Sequence, residues 1–132
     1  MALKLQHIDH VAITVSDLQR SMAWYRDVLG LERRFQEEWG DVPTMMCVGE
    51  TCVALFVSHR SEKGADGPRD TPSLHHIAFR VDRENFEAAQ DRFRDLGMEF
   101  RRADHGIAQS IYIADPDGHR IEITTYDIEA SP

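Results

Sequence analysis

Three side chains in this sequence have the types and the spacing of a metal site: His10, His76 and Glu122. The two histidines open matching runs, His10-Val-Ala-Ile-Thr-Val-Ser-Asp and His76-Ile-Ala-Phe-Arg-Val-Asp-Arg, at an offset of 66 residues. Leu29-Gly30-Leu31-Glu32 then matches Leu96-Gly97-Met98-Glu99 at 67, and Val53-Ala54-Leu55 matches Ile121-Glu122-Ile123 at 68. So small a drift is what loop insertions produce, and the chain reads as two copies of one unit. Pseudo-twofold packing of the copies would bring His10, His76 and Glu122 to one centre. The fourth equivalent position is Ala54, which has no ligand atom. Two imidazoles and one carboxylate leave several coordination positions open, the arrangement suited to Fe(II), with Mn(II) as its near neighbour. A lone histidine on a strand is more often a core or rim residue; the symmetric pair with a related carboxylate argues against that here.

The elements that must position these residues follow the same order twice. Residues 7–15 alternate as a strand around Ile8, Val11, Ile13 and Val15. Ser16 and Asp17 offer helix N-caps, Leu18, Met22, Tyr25 and Leu29 recur at helical spacing, and Gly30 is placed to stop the helix. Strands are expected near 31–37, 43–48 and 51–57, the last two joined at Gly49-Glu50. In the second copy, strand 75–81 leads to a helix carrying Phe86, Ala89, Phe93 and Leu96, closed by Gly97. Strands then fall near 98–102, 109–114 and 119–125, with Asp115-Pro116-Asp117-Gly118 as a tight turn. The fold class is therefore α+β: two tandem βαβββ units, cupped as a mixed sheet around a central metal site. Unit one covers about 6–57, a Gly/Pro/Asp-rich linker about 58–74, and unit two about 75–126, within a single domain of 132 residues.

Composition bounds what the site can serve. With 23 acidic against 15 basic residues the formal charge is −8, which excludes nucleic acid and anionic membranes as expected partners. No apolar run is long enough to span a bilayer, and the first residues lack a signal-peptide core. Cys47 and Cys52 are too few for a disulfide framework and are expected as reduced, partly buried thiols in a cytoplasmic protein. The open edge of the sheet predicts a homodimer.

The segments His10-Val-Ala-Ile-Thr-Val-Ser-Asp-Leu, Trp24-Tyr25-Arg26-Asp27-Val28-Leu29-Gly30, His76-Ile-Ala-Phe-Arg-Val and Asp115-Pro-Asp-Gly-His-Arg-Ile-Glu122 resemble the glyoxalase/bleomycin-resistance/extradiol-dioxygenase (vicinal oxygen chelate) superfamily. The resemblance covers roughly residues 6–126. It implies a small-molecule substrate chelated through adjacent oxygens, with a metal stabilising the developing anion. Glyoxalase I members carry a fourth ligand where this chain has Ala54, so that activity is not expected. Extradiol dioxygenases and fosfomycin-modifying thiol transferases both use His, His and Glu.

The run His105-Gly-Ile-Ala-Gln-Ser-Ile-Tyr112 is similar to the extradiol stretch supplying an active-site histidine and tyrosine. His105 is expected as acid/base and Tyr112 as a hydrogen-bond donor to substrate, with Ser110 as a polar wall residue. This favours dioxygenase-like ring cleavage of a small vicinal diol. The alternatives are a fosfomycin-type thiol transferase or related lyase, and an inert small-molecule-binding protein. Against the transferase stand Ala12, where those enzymes place a Thr, and the absence of Lys or Arg after Glu122, with Arg102 as the one substitute for a basic contact. His119 reads as a turn residue, and His7 and His75 as pointing to the face opposite the ligands. His59 begins the linker. Trp24 and Tyr25 read as helix packing, and Arg33, Arg34, Glu37 and Glu38 as a solvated face.

Overall fold

The computed structural model describes residues 2–58 and 73–128. The chain divides into two compact units, Met1–Arg69 and Asp70–Pro132. Most of the expected linker, with His59, lies outside the described residues.

Unit 1 runs β1 (His10–Val15), α1 (Leu18–Asp27), β2 (Glu32–Arg34), α2 (Gln36–Trp39), β3 (Thr44–Val48) and β4 (Thr51–Val57). Unit 2 runs β5 (Ile77–Arg80), α3 (Arg83–Asp95), β6 (Arg101–Asp104), β7 (Gln109–Ala114) and β8 (Arg120–Thr125). Each unit builds one mixed four-stranded sheet, in the orders β1-β4-β3-β2 and β5-β8-β7-β6. The first and last strands of each are parallel neighbours and the other pairs are antiparallel. This is the α+β fold of two tandem βαβββ units.

The registers reproduce the repeat residue by residue. In unit 1, Ala54 lies opposite Ala12 on one side and Met45 on the other, and Met45 lies opposite Arg34. In unit 2, Glu122 lies opposite Ala78 and Tyr112, and Tyr112 lies opposite Arg101. Ala54 thus fills in one sheet the place that Glu122 fills in the other.

Strand alternation assigns the two faces of each sheet. The odd positions of β4 and β8, Val53, Leu55, Ile121 and Ile123, are buried, and the helices pack over these strands: α1 on β3 and β4, α3 on β8. Tyr25 of α1 and Phe86 and Phe93 of α3 complete the buried layer. Truncating either phenylalanine to alanine would cost about 3–5 kcal/mol. Both helices begin on an aspartate whose carboxylate accepts a backbone N–H: Asp17 from Arg20 and Asp82 from Asn85. The bonds from the Asn85 backbone and side chain hold the Asp82 carboxyl below its ordinary value. At the other end of α3, Met98 N–H reaches the Phe93 carbonyl and Gly97 N–H the Arg94 carbonyl. This is a Schellman cap, and it requires the left-handed Gly97 (φ 70°).

Three expectations are corrected. The strand read at 31–37 stops at Arg34: Phe35 turns left-handed (φ 65°) and starts the short helix α2. Its ring then packs on Trp39, centroids 5.1 Å apart, and Glu37 and Glu38 stand in the first turn, where the helix dipole favours negative charge. The strands read at 7–15 and 75–81 shorten to His10–Val15 and Ile77–Arg80, with one bond each beyond those ends, Cys52 N–H to the Asp9 carbonyl and Val81 N–H to the Thr124 carbonyl. Cys47 and Cys52 are not reduced thiols but a disulfide. The two-residue Gly49-Glu50 turn places them directly opposite each other on β3 and β4, and with Met45 and Ala54 they form a buried cluster. The compartment inferred from reduced cysteines loses that support. No helix among the described residues is long and apolar enough to cross a membrane.

Denatured without reductant, the protein should expose no thiol to an alkylating reagent; after reduction both of its 2 cysteines should react. Two reactive thiols before reduction would contradict the Cys47–Cys52 bond.

Candidate functional site

The face of unit 2 opposite α3 gathers polar side chains on neighbouring strands. Glu122 sits mid-β8 and is 8% exposed. A carboxylate so placed has lost most of its water, and the loss is tolerable only with close partners. It has two. His76, in the extended segment entering β5, brings Nε2 to 3.0 Å from Glu122 Oε1. Ser110, fully buried on β7, donates its hydroxyl to Glu122 Oε2 at 2.7 Å. Ser110 Oγ also meets Thr124 Oγ1 at 2.9 Å.

The other nitrogen of the His76 ring is engaged as well: its Nδ1 lies 2.7 Å from Nδ1 of His75, so one of the two carries the shared proton. The expectation that His75 points away from the ligands is therefore corrected. Strand alternation does not apply, because β5 begins only at Ile77.

These residues fit a divalent cation. Two donor atoms 3.0 Å apart match neighbouring corners of an octahedron with bonds of roughly 2.1 Å. The second carboxylate oxygen is already satisfied by Ser110, and Nδ1 of the imidazole is held by a hydrogen bond, as is usual for metal-bound histidine.

In unit 1, His10 opens β1 and is exposed. Its Nδ1 lies 2.8 Å from the Asp9 carboxylate, which leaves Nε2 as the donor atom. His10 and His76 are thus prepared in the same way, each with Nδ1 held by the residue before it. Among the described residues, no group of three or more His, Cys, Asp and Glu side chains is arranged to hold a metal; His76 and Glu122 come together within unit 2, and His10 belongs to unit 1.

Beside Glu122 on β7, Tyr112 centres a second cluster. Its hydroxyl is 3.0 Å from His105 Nε2. The guanidinium of Arg101 stands 4.9 Å, and that of Arg120 5.4 Å, from its ring centroid. The three line a cleft of about 480 Å³ with Glu99, Phe100 and Gly118. Among the described residues neither arginine has a carboxylate partner. Two guanidinium groups beside a phenol, with one carboxylate, Glu99, in the same lining, can bind an anion, and arginine suits planar or tetrahedral oxyanions.

Both expected residues of the 105–112 run, His105 and Tyr112, are therefore in contact. Arg101 and Arg120 were missed. The signal was parity: Arg120 precedes Glu122 by two positions on one strand, and Arg101 lies opposite Tyr112. Arg102, the expected basic contact, lies opposite Ile111 and belongs to the other face. Ser110 proves to be the carboxylate's partner rather than a wall residue. His119 is a turn residue as expected: its carbonyl accepts from the Asp115 N–H, and its own N–H donates to the Asp115 carboxylate.

The family model for the Glyoxalase/Bleomycin resistance protein/Dioxygenase superfamily matches residues 7–123. The chain is 30% identical over 119 residues to glutathione transferase FosA of Serratia marcescens, covering 90% of this chain and 80% of that one. It is 33% identical over 128 residues to metallothiol transferase FosB of Lysinibacillus sphaericus, covering 93% and 84%. Catechol-2,3-dioxygenase of Bacillus subtilis is 26% identical over 124 residues, covering 89% of this chain but 40% of that enzyme. The crystal structure of lactoylglutathione lyase from Agrobacterium tumefaciens superposes with a TM-score of 0.71 at 25% identity, over 92% and 94% of the two chains.

His76→Ala should reduce bound Mn(II) to background and lower the melting temperature by a few degrees, since buried Glu122 loses one of its two close partners and keeps Ser110. Undiminished metal content, measured by elemental analysis after dialysis, would remove His76 from the ligands.

Proposed function

Because the chain belongs to the Glyoxalase/Bleomycin resistance protein/Dioxygenase superfamily, we propose that it is a divalent-metal-dependent thiol transferase joining a small thiol to an anionic electrophile. The observation that carries this reading is the pairing, on one face of unit 2, of the His76–Glu122 donor pair with the two-arginine cleft around Tyr112. The similarity to glutathione and metallothiol transferases supports it over the ring cleavage expected from the 105–112 run.

In this reading His10, His76 and Glu122 hold the metal. When bound, the metal polarises a substrate oxygen as a Lewis acid. The remaining work falls to the chain's own side chains. Arg101 and Arg120 seat the anionic end of the substrate and turn its reactive carbon towards the donor pair. With Nε2 protonated, His105 donates to the Tyr112 oxygen at 3.0 Å and leaves the phenolic proton free for the anion. The basic contacts that the sequence lacks after Glu122 are supplied before it, by Arg120. The incoming thiol adds through sulfur to the carbon, and its proton ends on the oxygen released there. A homodimer is part of this reading.

One observation favours a second reading. The His105–Tyr112 pair is also what acid–base chemistry on a catecholic hydroxyl would use, and ring cleavage would call for Fe(II) in place of other divalent ions. The two arginines have no task in it, since a catechol carries no anionic group of its own.

The test is consumption of a thiol, glutathione or cysteine, with fosfomycin as the electrophile and Mn(II) present, beside oxygen uptake with Fe(II) and catechols. Thiol loss without oxygen uptake is expected; the reverse would establish the second reading. Arg120→Ala should raise KM for the anionic substrate roughly 10- to 100-fold, the span of one hydrogen bond to a charged group, with Mn(II) affinity unchanged. An unchanged KM would remove Arg120 from the cleft's function.

A further inference from the structure

Resting on the metal reading but not on which group is transferred, the geometry points to Ser110 as a positioning residue that holds the Glu122 carboxylate so that one oxygen, Oε1, faces the His76 imidazole. Ser110 is fully buried, lies opposite Thr124 and sits diagonally across β7 and β8 from Glu122. Its hydroxyl has one proton and two polar neighbours, Glu122 Oε2 at 2.7 Å and Thr124 Oγ1 at 2.9 Å. An ionised carboxylate can only accept. The Ser110 proton is therefore directed to Glu122, the nearer of its two acceptors, while Thr124 gives its own proton to the Gln109 carbonyl. The Thr124 contact with the Gln109 carbonyl, at 3.3 Å, is the longer of its two.

This arrangement sets the carboxylate's rotation. The terminal torsion of a glutamate is broad and costs little to turn. Holding Oε2 on one side fixes Oε1 on the other, where it lies 3.0 Å from His76 Nε2. Removing the hydroxyl leaves Oε2 buried without a donor. The carboxylate then turns, takes a proton, or brings both oxygens to one side, and each change alters what it offers a cation. Ser110 touches neither the Tyr112–His105 pair nor the arginines in any contact the structure shows, so its effect belongs to metal binding rather than to seating the anion.

The experiment uses the whole chain, stripped with a chelator and titrated with Mn(II) alone, the free ion being read by its electron paramagnetic resonance signal. Ser110→Ala should weaken binding roughly 10- to 100-fold, the usual effect of removing a partner that orients a metal ligand. Ser110→Thr, which keeps the hydroxyl, should restore it. In a Glu122→Gln background the Ser110→Ala change should make no further difference. Wild-type affinity in a folded Ser110→Ala protein would overturn the inference, and so would an equal loss in the Glu122→Gln background. If Ser110→Ala does not fold, Ser110→Cys keeps the volume while weakening the donor, and wild-type affinity there is equally fatal. A wild-type chain that takes up no Mn(II) overturns both this inference and the metal reading. Thiol transfer is not measured, so failure of the transferase assignment leaves these affinities as they are.

Discussion

A carboxylate buried in the middle of a sheet is the constraint on which the rest of unit 2 depends. Glu122 interrupts the apolar run of β8, and leaving its charge without partners there would cost several kcal/mol. The sheet answers from both neighbouring strands. β5 is entered through His76, which meets one oxygen, and β7 presents Ser110, which meets the other. Unit 1 shows the same sheet without that demand. Ala54 fills the equivalent place, and its surroundings are Met45 and the Cys47–Cys52 disulfide, an apolar cluster with nothing to neutralise. One fold thus carries a packed face in one copy and a polar, donor-lined face in the other, with Ala54 and Met45 standing where Glu122 and Tyr112 stand.

The polar face has two parts that divide the chemistry. The donor pair His76–Glu122 suits a cation, whereas Arg101 and Arg120 flank Tyr112 and suit an anion. In a chain of formal charge −8, two guanidinium groups without a carboxylate partner among the described residues are a local exception to the overall field. In the proposed reading, these groups of opposite chemistry on one face of the sheet would orient a substrate that carries an anionic group at one end and a metal-seeking oxygen near the other. His105 belongs with the second part through Tyr112 rather than with the donor pair.

Much of this was legible from residue order. The two βαβββ units, the equivalence of Ala54 with Glu122 and the closing glycine of α3 follow from alternation, helical spacing and an offset of 66 to 68 residues between the copies. What escaped has physical causes. Parity within a short edge strand is ambiguous by one residue, so Arg102 was read for Arg101. His75 precedes its strand, where alternation no longer holds. Cys47 and Cys52 read as reduced because two cysteines are too few for a disulfide framework, whereas the strand register across the Gly49-Glu50 turn makes them direct cross-strand neighbours. Phe35 takes a left-handed conformation rare for a bulky residue, and no local propensity signals it. The Ser110–Glu122 bond joins residues on neighbouring strands, and only the register brings them into contact.

The claim at the centre of this account is that Glu122 and His76 are held for a cation between them. Crystals grown with Mn(II), measured at a wavelength that gives manganese an anomalous signal, test it directly. The account predicts one strong peak within bonding distance, about 2.0–2.2 Å, of both His76 Nε2 and Glu122 Oε1, with Ser110 still on Oε2. A map with no peak there, and His76 still paired directly with Glu122 in the presence of excess metal, would contradict it.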